Sequence, residues 1–467
     1  MKKMTAMLIS AIAGCSLGLT AALIAAMGLG AFGADVNVDW NVEIGKVKPV
    51  NGVGQPPLKG NAGYSMFHYL KKAGIPYSRL HDVGGPYGRN IFVDIPNLFR
   101  DFDADETKPE NYDFTFTDKL MEALVANGIE PFFRLGVTIE NACKYKAYRT
   151  YPPKDFAKWA RICEHVIRHY TEGWADGYRM KIEYWEIWNE PENHPVPELN
   201  PMFRAPFSEY IRLYGVAAPH LKAKFPHLKI GGYASCGFYA ATGVGVPPGA
   251  NVSARREYFV ECARQFFTAV KAGGWPLDFF SYHSYSEPKE ALRQGYCVRK
   301  MLDEYGFKDV ETSFNEWLPL PSLKNRGSMY QAAMIGAELI GLQNGPCDTA
   351  MIYDARCGGG NYSPLFNPLT EQPHKAYWVF VAFNELRKLG TAVKCVSDDE
   401  DLWATAAKGK GGRAVMLANY SKRTIPLNIF GMSGAGCRII DETRTWEDCE
   451  CPAEVAPQTV LVVMEKR

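Results

Sequence analysis

The chain has 467 residues, of which 47% are hydrophobic and 22% charged. That is enough apolar material for one large core and a smaller second one, and it excludes a disordered or fibrous protein. Lys plus Arg number 52 against 51 for Asp plus Glu, with no run of like charges, so neither a nucleic acid nor an acidic lipid surface is an expected partner.

Lys2 and Lys3 precede the uncharged stretch Met4–Ala34, and Ala31-Phe32-Gly33 offers small residues where an export peptidase reads. Residues 1–34 are therefore expected to be an export signal, giving an exported protein, secreted or periplasmic. The stretch is also long enough for an uncleaved membrane anchor, the second option, and Ile12-Ala13-Gly14-Cys15 resembles a lipoprotein box, the third. The 12 cysteines include no Cys-x-x-Cys pair and no Cys/His cluster at zinc spacing, so no structural metal is expected. Cys449 and Cys451 are candidates to bridge elsewhere in an oxidising compartment, with Cys437 or Cys395 as partners.

Beyond residue 34 the chain alternates strand-like and helix-like segments. Val42–Asn51, apolar at Val42, Ile44, Val47 and Val50, reads as a first strand, and the helical pattern Tyr64–Ala73 after it closes at Gly74. Strand Pro76–His81 is followed by a glycine-rich loop, helix Thr117–Ala126 and strand Pro131–Gly136. Helix Asp155–Tyr170, strand Ile182–Trp188, helix Phe207–Phe225 and strand Lys229–Ala234 come next. Helix Arg255–Ala272, strand Phe279–His283, helix Lys289–Tyr305 and strand Asp309–Asn315 continue the series. Helix Ser328–Leu342, strand Asp348–Tyr353 and helix His374–Leu389 complete it. Eight strands, each followed by a helix, predict a (β/α)8 TIM barrel over residues 35–390, because parallel strands need helical crossovers. A doubly wound sheet is set aside because no Gly-x-Gly-x-x-Gly loop follows any strand. After Gly390 only short alternating runs occur, which predicts a β-sandwich accessory domain over residues 391–467.

The chemistry gathers at two strand ends. Pro191 cannot donate to a strand ladder, so the strand before it stops at Asn189–Glu190 and leaves Glu190 at the barrel mouth where active sites form. The seventh strand ends the same way, in Asn315-Glu316-Trp317. Strands four and seven lie across the barrel from each other, so the two acids can face. Glycoside hydrolysis uses such a pair: one acid protonates the leaving oxygen, and the other attacks the anomeric carbon or activates a water.

Trp185-Glu186-Ile187-Trp188-Asn189-Glu190-Pro191, His283-Ser284-Tyr285 and Asn315-Glu316-Trp317 resemble the signature of the retaining glycoside hydrolases of clan A. Together with Arg79-Leu80-His81 and Pro152-Pro153-Lys154-Asp155 they make the chain most similar to glycoside hydrolase family 39, a likeness that runs through most of residues 45–390. That family contains β-xylosidases and α-L-iduronidases. The resemblance implies a retaining glycosidase acting on carbohydrate without cofactor or metal. It implies Glu190 as general acid/base with a raised pKa and Glu316 as ionised nucleophile. Asn189 would contact the sugar 2-hydroxyl, His283 and Tyr285 would orient the carboxylates, and Arg79 and His81 would line the floor, with Trp317 and Tyr353 as further substrate contacts. A β-xylosidase-like enzyme is the first expectation. The alternatives are a uronide- or arabinoside-specific glycosidase, or an inactive carbohydrate-binding barrel.

Strand eight departs from the pattern, since Met351-Ile352-Tyr353-Asp354-Ala355-Arg356 stands where clan members usually present an aromatic, often Trp. Tyr353 is the candidate replacement, and Arg356 or Arg134 are candidates to read a uronate carboxylate. Glu186 is expected to pair with a buried Arg, and Glu192 and His194 to lie in a solvated loop. A metal-dependent hydrolase would need ligand clusters at strand ends, for which only His81 and His283 are placed. Loops Gly84–Glu110, Glu140–Pro153, Glu192–Pro206 and Cys236–Ser253 are expected to shape the mouth.

Overall fold

The computed structural model describes residues 34–58, 63–83, 93–138, 150–242, 254–432 and 435–466. The expected export segment up to residue 33 lies outside the described residues, as do stretches 84–92, 139–149 and 243–253 of the mouth loops. Among the described residues no helix is long and apolar enough to cross a membrane.

The chain opens with strand β1 (Ala34–Lys46) and then enters the barrel at β2 (Gly52–Gly54). There follow β3 (Tyr77–Leu80), β4 (Glu130–Leu135), β5 (Tyr184–Ile187), β6 (Lys229–Ser235), β7 (Phe279–Ser284), β8 (Glu311–Trp317) and β9 (Thr349–Ile352). These eight close in chain order, β9 pairing back on β2 with Met351 beside Gly52. The crossovers run through α1 (Phe67–Lys72), α2 (Thr115–Ala126), α3 (Phe156–Thr171), α4 (Phe207–Lys224), α5 (Ala254–Gly273), α6 (Pro288–Tyr305) and α7 (Met329–Asn344). Helix α8 (Lys375–Leu389) follows β9.

Successive residues of a strand point to opposite faces, and this sorts the barrel's side chains. Phe133, Leu135, Trp185, Ile187, Phe280, Tyr282 and Phe314 face the helices and share their core. Phe132, Tyr184, Phe279 and Met351 point inward and plug the bottom of the barrel. Gly231 makes room for that plug, because a Cβ there would stand 2.2 Å from the Phe279 carbonyl oxygen. Two residues further along the strands the inward positions are Arg79, Arg134, Glu186, Ser281 and Ser313, all buried. Polar and charged groups therefore collect above an apolar floor, toward the strand C-termini.

Strand β8 breaks the alternation where it matters. Its register against β7 slips between the pairs Tyr282–Phe314 and His283–Glu316. The irregularity lets two consecutive residues, Asn315 and Glu316, reach buried partners inside the barrel. Trp317 turns away instead and stacks on Phe380 of α8, 6.4 Å between ring centroids.

After α8 come β10 (Thr391–Ser397), β11 (Leu402–Gly409), β12 (Gly412–Asn419), β13 (Ile425–Phe430), β14 (Gly436–Ile440), β15 (Thr445–Cys449), β16 (Glu454–Val455) and β17 (Thr459–Lys466). With β1 they form one nine-stranded sheet, ordered β15-β14-β17-β12-β11-β10-β1-β13-β16. The sheet folds over on itself, since Ile425 and Val455 near one edge meet Cys437 and Ile439 near the other in one apolar core. Alternate residues Ala414, Met416, Ala418, Val460 and Val462 face the opposite way and join the barrel core. Both faces of β12 and β17 are thus covered, so Ala414–Ala418 and Val460–Val463 are apolar throughout rather than alternating as expected.

Two expectations are corrected here. The first barrel strand is Gly52–Gly54, not Val42–Asn51, and the segment from Ala34 to Lys46 belongs to the accessory sheet, paired with β10 and β13, rather than to a barrel domain starting at 35. Strand-forming residues at Val42 and Ile44 signal extended chain without saying which sheet receives it. Cys437 bridges Cys451, while Cys449, opposite Cys437 in the β14–β15 register, and Cys395 remain thiols.

Helix α7 lies between barrel and sheet, and Gly336 on it allows the approach: a Cβ there would stand 2.9 Å from Val460 Cγ2. Glu338, in the middle of α7, is completely buried, and neither carboxylate oxygen has a hydrogen-bond partner among the described residues. Burial first, then the charge of Glu287, pushes its carboxyl well above the ordinary range. The folded protein keeps a proton there that the unfolded chain releases above about pH 4.3, so this group costs stability as pH rises. Glu338→Leu, which removes the orphaned oxygens at similar volume, is expected to stabilise by about 1–3 kcal/mol. Thermal unfolding should show the gain at pH 6 and a larger one at pH 8; an equal gain at both would sink the argument.

Candidate active site

Strand β5 delivers Glu190 through a turn in which Trp188 (φ 72°) and Glu190 (φ 45°) both sit in the left-handed region, a conformation concentrated at functional sites. The Glu190 N–H donates to the carbonyls of Tyr233 (3.2 Å) and Ala234 (3.1 Å) on β6. Its carboxylate is held by His283 Nδ1 at Oε1 (2.7 Å) and by Asn193 Nδ2 at Oε2 (2.6 Å), and the Cys236 thiol also hydrogen-bonds it. Arg255 donates to the backbone oxygen (2.9 Å) and Oδ1 (3.0 Å) of Asn193, which fixes the amide with its nitrogen toward Glu190.

Glu316 is gripped from below and from the side. Arg79 Nη1 donates to Oε1 (2.8 Å) and Tyr285 Oη to Oε2 (2.6 Å). Arg79 also donates to Glu186 Oε2 (2.8 Å) and Asn189 Oδ1 (2.5 Å). Glu186 is thus the buried ion-pair partner expected for such an Arg, and it accepts in addition from Ser281 and Asn315 (2.5 Å each). Since the Asn189 oxygen faces Arg79, its amide nitrogen is left for the cavity.

The two catalytic-type carboxylates are close. Glu190, His283 and Glu316 each offer an atom such that all three lie within 4.8 Å of one another. Among the described residues this trio is the one group placed to share a cation, although the Arg79 guanidinium already supplies positive charge there.

The charge states differ from the sequence expectation. Burial favours a protonated Glu190, but the His283 hydrogen bond and charge, with Asn193 and Cys236, outweigh it and hold the carboxyl below its ordinary value. Burial pushes Glu316 above the ordinary value against the pull of His283 and Arg79, with the Glu190 charge adding to the rise. The Glu190 carboxyl thus lies below its ordinary value rather than above it, and that of Glu316 above its own. His283 titrates with them: burial opposes its charge, yet the carboxylates of Glu316 and Glu190 raise its pKa. His81 behaves oppositely. Burial, then Arg134 and Arg79, keeps it well below the usual imidazole value, and it is neutral. Arg134 Nε donates to its Nδ1 (3.2 Å), which places the ring proton on Nε2, toward Asp82 (3.4 Å) and Glu316 (3.9 Å).

A cavity of about 480 Å³ opens above the pair, lined in part by Asn189, Glu190, Glu316, His81, Tyr285 and Tyr353. Tyr353 packs edge-on to Tyr362 at 5.3 Å and donates to Asp82 Oδ2 (2.7 Å). Three sequence-chosen residues do not reach the cavity wall: Arg79 lies beneath the carboxylates, His283 behind them, and Trp317 faces the helices. Arg134 and Arg356 are engaged in ion pairs with Asp94 (2.6 Å) and Asp354 (2.7 Å), and neither is among the residues that line the cavity. Glu192 does not lie in a solvated loop; it is fully buried.

Sequence reading missed Asn193, Cys236, Tyr239, Arg255, Arg256, Phe259 and Tyr362, all of which line the cavity. Cys236 directly follows β6 and was findable by the strand-end rule. Arg255, Arg256 and Phe259 come from the first turns of a crossover helix, for which no local pattern signals proximity to the mouth.

The family described as Glycosyl hydrolases family 39 matches residues 72–346. A beta-xylosidase of Geobacillus stearothermophilus is 29% identical over 156 residues, 32% of this chain and 30% of that protein, so the chain aligns with under a third of its curated relative's length. In structure, a glucosidase from Croceicoccus marinus gives a TM-score of 0.72 at 19% identity, covering 94% of this chain and 99% of that one. A monomeric beta-xylosidase from Caulobacter crescentus gives 0.66 at 15% identity, covering 92% and 99%. At these identities the structural likeness speaks to the fold.

Proposed function

Given that the chain belongs to glycosyl hydrolase family 39, we propose that it is a retaining glycosidase with Glu316 as nucleophile and Glu190 as general acid/base. The observation that carries this reading is the approach of the two carboxylates, one oxygen of each lying within 4.8 Å of the other, which favours the ~5–5.5 Å carboxyl separation of retaining enzymes over the ~6.5–9.5 Å of inverting ones. Glu316 attacks the anomeric carbon as the glycosidic C–O bond breaks, and Glu190 gives its proton to the departing oxygen. In the second step water loses a proton to Glu190 and displaces Glu316. The first step needs a proton on Glu190, and His283, 2.7 Å away, is the group that supplies it once substrate displaces water and weakens the ionised form. Conversion of Glu316 to an ester then removes the neighbouring charge and frees Glu190 to act as base. The Asn189 amide nitrogen is poised to donate to the sugar 2-hydroxyl.

The sugar is read as a xyloside, on the strength of the aligned beta-xylosidase. A second reading, a uronide or otherwise acidic glycoside, draws on Arg255 and Arg256, the cationic side chains of the cavity wall. Release of nitrophenol from aryl β-xyloside, α-arabinoside, β-glucoside, β-galactoside and α-iduronide tests both. β-Xyloside is expected to turn over fastest, and preference for the iduronide would replace the first reading by the second. Silence on all five, with sugar binding intact, would favour an inactive carbohydrate-binding barrel. Glu190→Ala should lower kcat/KM by ~10²–10⁴-fold for leaving groups that need protonation and far less for dinitrophenolate. An equal loss on both would remove Glu190 from the acid role.

Residues 1–33, ahead of β1, are read as an export segment, which suits the Cys437–Cys451 bridge in an oxidising compartment. Fractionation of the expressed full chain tests this, with cytoplasmic retention the outcome against it.

A further inference from the structure

Glu192, two residues after the acid/base, belongs to no step above. Its carboxyl is buried, and Oε1 accepts from Ser235 Oγ (2.9 Å) and the Cys236 N–H (2.8 Å), while Oε2 has no partner among the described residues. Those donors belong to the end of β6, whose Tyr233 and Ala234 carbonyls also receive the Glu190 N–H, and whose Cys236 thiol touches the Glu190 carboxylate. Four consecutive residues, 233–236, are therefore tied to the acid/base turn, two by the backbone of Glu190 and two by the side chain of Glu192. The tie holds a conformation the chain does not favour. Ala234 sits at φ 56° beside Glu190 at φ 45°, so two L-residues in contact both occupy the left-handed region.

Glu192 makes this tie as a neutral acid. Burial, with the charge of Glu190 adding to it, pushes its carboxyl up to about 8. The titratable groups around it are Glu190, Tyr233 and Cys236 beside it, Tyr210 from α4, and Tyr258 and Cys262 from α5, and none of them is a cation. A charged Glu192 would stand close to the charge of Glu190, which works against it.

We propose that Glu192 is a positioning residue for the acid/base, its buried carboxyl clamping the Ser235–Cys236 end of β6 under Glu190 so that the proton donor meets the leaving oxygen in register. The inference rests on the role assigned to Glu190, and its test separates the two. kcat/KM is measured for wild type, Glu192→Gln, Glu192→Asp and Ser235→Ala, each on a xyloside with a poor leaving group and on the dinitrophenyl xyloside. Gln keeps the length and the accepting oxygen of the neutral acid, and it should stay within ~3-fold of wild type on both substrates. Asp draws the oxygen back by one methylene, and it should lose ~30-fold on the poor leaving group and under ~3-fold on dinitrophenyl, because only the former needs a placed proton. Ser235→Ala, which removes one donor and leaves Glu192 intact, should show the same split at smaller size and covers the case in which the Asp variant does not fold.

Equal losses on both substrates in Glu192→Asp and Ser235→Ala, no loss in either, or a Gln variant as impaired as Asp would each overturn the proposal while leaving Glu190 in place. Absence of the split in Glu190→Ala itself would overturn the acid/base assignment and the clamp with it.

Discussion

Glu316→Ala is expected to reduce turnover by ~10⁴-fold or more, because the covalent step loses its nucleophile. The fold should survive, since Arg79 keeps Glu186 and Asn189 as partners. The space vacated is anion-shaped: the Arg79 guanidinium and the Tyr285 hydroxyl both aim at the lost carboxylate, each within 2.8 Å of it. Azide should enter there and restore turnover of an activated substrate, giving a glycosyl azide of inverted configuration, since a single displacement replaces two. The same anion added to Glu190→Ala should give the retained configuration, because it then attacks the glycosyl-enzyme in place of water. Product stereochemistry by NMR therefore assigns the two roles independently of rates. A retained product from Glu316→Ala, or residual activity above a few per cent, would reverse or abolish the assignment.

Arg79→Leu carries the largest expected effect on stability. The guanidinium is 1% exposed and lies between Glu186, 0% exposed, and Glu316 at 4%, at 2.7 and 2.8 Å. Removing it leaves two buried carboxylates without their cation, and breaking buried pairs in this way costs about 3–5 kcal/mol. The deficit should depend on pH with a definite sign. Without Arg79 the Glu316 carboxyl, already pushed up by burial, rises further in the folded state, so the variant takes up a proton on folding and recovers stability as pH falls toward 5. Glu186→Gln in the Arg79→Leu background should regain part of the loss by removing one uncompensated charge. Reversible unfolding of the single and double variants at pH 5 and pH 8 reads all of this. A deficit under 1 kcal/mol, or one that grows on acidification, would show that Arg79 does not neutralise the pair.

The sequence by itself carried the barrel and its two acids. Strand and helix periods differ enough that eight β/α units were countable, and Pro191 directly after Asn189-Glu190 marks where that strand must stop. It also carried the ion pair of Glu186 with a buried Arg, since a charged residue on the inward face of a barrel strand needs a partner. It did not say that Ala34–Lys46 leaves the barrel, because extended chain has the same alternation whichever sheet it joins. Nor did it reveal that Trp317 faces the helices, for the slip in β8 that turns Glu316 inward is set by pairing with β7. The tertiary structure decided the electrostatics of the pair. Glu190 and Glu316 are the same residue type in nearly the same motif, and their pKa values part in opposite directions: burial raises Glu316, while at Glu190 the hydrogen bonds of His283 and Asn193 outweigh it. It likewise turned Glu192 from a residue of an apparent surface loop into a buried clamp. Periodicity and chain-breaking residues act over a few neighbours and are written locally. Electrostatic environment falls off over ångströms of space rather than positions of chain, so only the folded arrangement of β5 to β8 could set it.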